Sequence, residues 1–165
     1  MKPLYSPAPT SGLTIERLSL HLGLMPVVAS WLRSEWPAWY GPEGAGDADA
    51  DLLRYAQAGA GIPLGMVALR DGQPCGFGAL KADGMPPGTL LGPWAGAGYV
   101  PPALRGQGLG ALLLRALVRE AAVLGFERVH CATRSANTLL LREGWQALER
   151  VQHGDETLTV FRSAA

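Results

Sequence analysis

The stretch Tyr99-Val100-Pro101-Pro102-Ala103-Leu104-Arg105-Gly106-Gln107-Gly108-Leu109-Gly110 decides how this chain reads. A strand-like run ends at Val100, and the double proline bars helix and forces an extended turn. Three glycines then alternate from Gly106 to Gly110 and lead straight into an apolar helix. Without Cβ atoms, backbone N–H groups there can approach a ligand and converge on it. The helix start adds unpaired N–H groups and the positive end of its dipole. Strand, glycine turn and helix N-terminus together predict a pyrophosphate cradle.

Two nucleotide motifs are excluded by spacing. A P-loop ends in Gly-Lys-Ser/Thr, whereas Gly110 is followed by Ala111-Leu112. A dinucleotide fingerprint needs G-x-G-x-x-G, and this chain offers G-x-G-x-G. The spacing met instead is Arg/Gln-x-x-Gly-x-Gly/Ala, through Arg105, Gly108 and Gly110.

With 165 residues the chain is the size of one domain and can bury a proper core. Apolar residues make up 48%, so a globular protein is expected. Lys plus Arg and Asp plus Glu number 14 each and no basic run exists, which argues against a nucleic-acid partner. No apolar stretch has membrane-spanning length, and no membrane partner is expected. The Pro- and Ser-rich residues 1–12 lack a signal-peptide core and read as a flexible tail before one domain over 13–165. Cys75 and Cys131 form no metal-ligand spacing, so no metal is expected, and a reduced, cytoplasmic setting is the default.

Along the chain, 13–20 reads as a strand, 26–36 as a helix with an apolar stripe, and 49–58 as a second, short helix. Residues 64–70 and 75–81 form a hairpin around Asp71-Gly72. A strand over 89–100 is punctuated by Gly92-Pro93 and by Gly96 and Gly98, which predicts a bulge or a close backbone approach. Then come a long helix over 109–124, a strand over 128–133, a short helix over 136–142, and an antiparallel pair, 145–151 with 157–162. The order is β-α-α-β-β-β-α-β-α-β-β.

Motif and order together resemble the GNAT superfamily of acyl-CoA-dependent N-acetyltransferases over roughly residues 13–162. Pro93-Trp94-Ala95 also resembles a bacterial branch of that family with a Pro-Trp-small pattern before the motif. The resemblance implies an α/β (α+β) fold: a mixed, mostly antiparallel sheet splayed between its fourth and fifth strands and flanked by helices. It implies acetyl-CoA as co-substrate, its diphosphate on the amides of Arg105, Gly106, Gln107, Gly108, Leu109 and Gly110. The pantetheine arm would pair with Gly98, Tyr99 and Val100. It further implies direct acetyl transfer to the amine of a small molecule or peptide, and a homodimer would be unsurprising.

One position departs from the family. A Tyr-x-x-x-Gly-Phe/Trp signature commonly supplies the acid for the leaving thiolate; here Gly144-Trp145 is preceded by Leu140. Tyr99, on the strand that should flank the thioester, is the substitute candidate, against an ordinary sheet-packing aromatic. His130 is a candidate base, against a satisfied core histidine. Cys131 alternates to the opposite face and reads as a small buried hydrophobe rather than a nucleophile. Glu35, with Trp36, Trp39 and Tyr40, suits an acceptor wall that grips an ammonium group by charge and cation–π contact; the alternative is a surface glutamate near core tryptophans. Asp83 is a further carboxylate or a turn residue. Two other functions stay open: a catalytically reduced acyl-CoA-binding sensor or partner domain, and a nucleotide-binding regulatory module.

Overall fold

A computed structural model describes residues 12–59, 61–82 and 92–164. Strand β1 (Leu13–Arg17) is followed by two 3₁₀ turns and then helices α1 (Met25–Glu35), α2 (Pro37–Tyr40) and α3 (Ala48–Tyr55). Strands β2 (Leu64–Arg70), β3 (Gln73–Lys81) and β4 (Trp94–Tyr99) lead to helix α4 (Leu109–Val123). Then come β5 (His130–Thr133), α5 (Asn137–Arg142), β6 (Gln146–His153) and β7 (Glu156–Arg162).

Local chemistry explains the element ends. Pro26 sits in the first turn of α1, where its missing N–H costs nothing, and Pro37 ends the helix one residue after its cap. The Asp47 side chain accepts from the Ala50 N–H at 3.1 Å and caps α3. Asp71 and Gly72 both have positive φ, 51° and 82°, the backbone a two-residue hairpin demands.

The seven strands order as β1-β2-β3-β4-β5-β7-β6. All pairs are antiparallel except β4–β5, which is parallel and holds a single register pair, Trp94 with His130. Beyond that pair the two strands diverge, so the sheet is splayed between its fourth and fifth strands. On one face Val28, Leu32, Leu52 and Tyr55 bury Val67, Leu69, Phe77 and Ala79. On the other, Ala116, Leu117 and Ala121 of α4 pack with Leu64, Met66, Leu80, Ala95 and Phe161.

Several boundaries differ from the sequence expectation. The first strand stops at Arg17, because Leu18 turns into the α1-side core and is fully buried there. The second helix ends at Tyr55, not residue 58, and α2 was not foreseen. Strand β4 begins at Trp94; residues 89–91, like Asp83, lie outside the described residues.

Candidate active site

The β4–β5 divergence leaves a slot that begins at the glycine turn and closes at Trp94 and His130. Along β4 it measures roughly 20 Å, six residues of extended chain. Among the described residues only Trp94 of β4 pairs with β5, so the backbone of the rest of β4 faces the slot without a strand partner on that side. On its other side β4 is bulged. Gly96 pairs with Ala79 and Tyr99 with Phe77, so three steps on β4 match two on β3, and Ala97 takes up the excess at φ 54°.

At the open end, Gly108 caps α4 with φ 85°, a left-handed conformation that penalises any side chain. A Cβ there would meet nothing within 4 Å, so the space above the turn is clear for a ligand. The first intrahelical bond is from the Leu112 N–H to the Gly108 carbonyl, 3.2 Å. The N–H groups of Leu109, Gly110 and Ala111 therefore remain without intrahelical partners, pointing out of the helix start. Arg70, at the end of β2, donates to the Gln107 side chain at 3.0 Å and so adds a cation beside the turn.

Arg105 joins the cradle to the rest of the site. Its Nε donates to the Val100 carbonyl at 2.7 Å, its guanidinium lies 5.5 Å from the Tyr99 ring centroid, and Nη2 stands 3.8 Å from Glu35 Oε1. Tyr99 stacks on Trp31 of α1 with ring centroids 5.4 Å apart. Glu35, Arg105, Tyr99 and Trp31 thus form one chain of contacts on the α1 side of β4. Trp31 was not singled out from the sequence, where it looked like part of the helix stripe.

The other predicted acceptor residues scatter. Trp36 and Trp39 are exposed, the latter at 54%, with the Trp39 indole against Gly46. Tyr40 turns to α3, donating to Asp51 Oδ2 at 2.6 Å. Burial and that hydrogen bond push its phenol far above the ordinary range. A depression in this segment is lined by Pro37, Ala38, Pro42, Glu43 and Gly44, and none of the four predicted residues is in its wall.

At the closed end, His130 is 6% exposed and its ring tilts against Trp94 at 5.5 Å. Burial, then Arg162 and Arg128, lower its pKa, which keeps the imidazole neutral at neutral pH. Cys131 points the opposite way, against the α4-side core, and burial pushes its thiol up to about 12. A thiol held protonated is no nucleophile. Leu140 is fully buried in the same core, with Trp145 and Phe161. Arg115 clamps Glu143 through two hydrogen bonds of 2.6 and 2.9 Å and so ties α5 to α4. Among the described residues no cluster of His, Cys, Asp and Glu could hold a metal, and no helix is long and apolar enough to cross a membrane.

Solved structures share this architecture. An aminoglycoside 6'-N-acetyltransferase complexed with coenzyme A superposes with a TM-score of 0.73 at 12% identity, covering 91% of this chain and 96% of that one. A GCN5-related N-acetyltransferase from Kribbella flavida gives 0.69 at 22% identity, over 97% and 100%. N-acetylglutamate synthase from Neisseria gonorrhoeae, complexed with coenzyme A and N-acetyl-glutamate, gives 0.65 at 15% identity, over 92% of this chain and 34% of that one. No curated protein matches the sequence. The model of the Acetyltransferase (GNAT) family matches residues 26–142. The chain belongs to the GNAT acetyltransferase family.

Proposed function

We propose that this protein transfers the acetyl group of acetyl-CoA directly to a primary amine of a small molecule or peptide. The observation that carries this reading is the union of a clear, left-handed glycine cradle with a β4 edge unpaired toward β5. The first suits a diphosphate, the second an extended amide-bearing arm. Bound there, acetyl-CoA would supply an activated acetyl thioester. The N–H groups of residues 106–111 would hold the diphosphate, and Arg105 and Arg70 would add positive charge beside it.

Each side chain then has a role it can fill. The unpaired β4 backbone would orient the arm and present N–H groups to a developing negative charge. Tyr99, on the α1 side of β4, would hold the proton given to the departing sulfur. His130, neutral by burial and neighbouring cations, lies four strand positions from Tyr99, so it would take up the proton of the attacking amine through intervening water and not by direct contact. Glu35 would draw a cationic acceptor toward the α1 side, in exchange with its present partner Arg105. We place the activity in the cytoplasm, in keeping with two free cysteines.

Leu140 favours a second reading, an acyl-CoA-binding sensor with reduced catalysis, since an apolar core residue stands where relatives commonly carry a tyrosine. A free-CoA release assay against a panel of amines, run beside calorimetry with CoA, decides between them. Amine-dependent release supports transfer. Tight CoA binding without release against any amine supports the sensor. Absence of CoA binding overturns both.

A further inference from the structure

Strand register aligns five side chains in one row across the sheet. Lys81 pairs with Trp94, Trp94 with His130, His130 with Arg162, and Arg162 with Gln146. Directly paired residues share a face. The next row, Leu80, Ala95, Cys131 and Phe161, packs into the α4-side core, so alternation puts the first row on the α1 side. That is the face bearing Tyr99, four β3 positions or roughly 13 Å away. The row crosses the sheet at the closed end of the slot.

Its chemistry is one-sided. Lys81 and Arg162 are cations, His130 is a polar ring, and the row has no carboxylate. Among the described residues none of the three stands in an ion pair. Arg162 spends Nη2 on Gln146 Oε1 at 2.8 Å, which leaves Nε buried and without a partner. His130, more than nine-tenths buried, likewise holds Nδ1 without a partner. Two such atoms on paired residues are costly to leave unmet in a folded protein. Gly96 adds a third observation. A Cβ on it would stand 2.9 Å from Lys81 Cδ and 3.5 Å from Nζ, so the lysine stem lies across β4 where a side chain is missing. Its ammonium is thereby carried over β4 next to the bulge at Ala97.

We propose that Lys81, His130 and Arg162 form a subsite for a carboxylate at the closed end of the slot. The subsite rests on the acetyl-transfer reading for its purpose, and it narrows the substrate class. The carboxylate belongs either to the acceptor, making it an amino acid or a peptide-like acid, or to the acyl group, making it a dicarboxylic acyl thioester. A polycationic acceptor is disfavoured, because it would bring further positive charge against two cations.

Two measurements test this. The first is the His130 ring resonance in ¹H–¹³C NMR, followed while N-acetylglycine or the uncharged N-methylacetamide is titrated into the full chain. A saturable shift with N-acetylglycine alone, abolished in Arg162→Gln and weakened in Lys81→Gln, is expected. No shift with either probe overturns the subsite, whether or not the protein binds CoA. The second is kcat/KM for amino acids against their decarboxylated amines, and for succinyl-CoA against acetyl-CoA. A preference of about tenfold or more for carboxylated acceptors assigns the carboxylate to the acceptor, and one for succinyl-CoA assigns it to the acyl group. Either preference should collapse in Arg162→Gln. Equal rates throughout overturn the proposal while leaving acetyl transfer standing; absence of CoA binding and release with an intact NMR shift removes acetyl transfer and leaves the subsite.

Discussion

The two ends of the β4–β5 slot are built from different materials. The open end is made of backbone: a left-handed Gly108, a clear space above it, and N–H groups at the start of α4. The closed end is made of side chains gathered from β3, β4, β5 and β7 by register. Backbone donors are the same in every sequence, so the open end can grip a group common to all family members. Side chains are free to vary, so under the proposed function the closed end and the α1 side are where an acceptor would be chosen. Arg105 touches both materials, lying between the Val100 carbonyl, the Tyr99 ring and Glu35.

The largest expected effect breaks the backbone end. Gly108→Asp places a Cβ at positive φ and a negative charge in the anion cradle, and calorimetry should record a loss of CoA affinity of more than about 100-fold. Near wild-type affinity would remove the cradle from the site. Tyr99→Phe acts between the two ends: turnover should fall about 100-fold while the acetyl-CoA dissociation constant stays close to wild type. Equal loss in both quantities would make Tyr99 a packing partner of Trp31 instead of an acid. Arg105→Ala should weaken CoA binding only about three- to tenfold, because the N–H donors remain and the Arg105 side chain is itself exposed. Glu35→Gln should be smaller still for CoA and visible chiefly as a raised KM for amines.

The smallest effect concerns pH. His130 is held neutral in the fold by burial and by Arg162 and Arg128, whereas in the unfolded chain it titrates near 6.5. Below that value the unfolded state takes up a proton that the folded state still refuses. Stability should therefore be full above about pH 6.5, decline on acidification and level off once the folded imidazole is protonated. His130→Asn should flatten this part of the profile, measured as Tm between pH 7 and 5. A second loss is expected at lower pH, where Glu143, held below its usual range by Arg115, takes up a proton and releases α5.

The contrast between the ends also explains what the sequence disclosed. The glycine turn was legible because positive φ at Gly106 and Gly108 leaves glycine almost no substitute, so the requirement is written into residue identity at fixed spacing. The hairpin at Asp71-Gly72 was legible for the same reason, and the order of strands and helices followed from period and punctuation. Trp31 and Lys81 were not legible. Each looks like an ordinary helix-stripe or strand-end residue until packing and register bring it to Tyr99 or across Gly96. The aromatic run from Trp36 to Tyr40 misled in the opposite direction. Adjacent aromatics suggest one wall, but α2 and the α3 contact send Trp39 to solvent and Tyr40 to Asp51.

The single register pair joining β4 to β5 has a consequence for how the sheet ages in solution. Most of β4, in the middle of a seven-stranded sheet, carries along one side the open hydrogen-bonding row of an edge strand. Its slot-facing amides should exchange with deuterium like those of a rim, while β2 and β3 beside it stay protected. Such a row invites any extended chain to pair with it. A ligand that lies along it does more than wait for chemistry: it seals an interior edge against the protein's own neighbours.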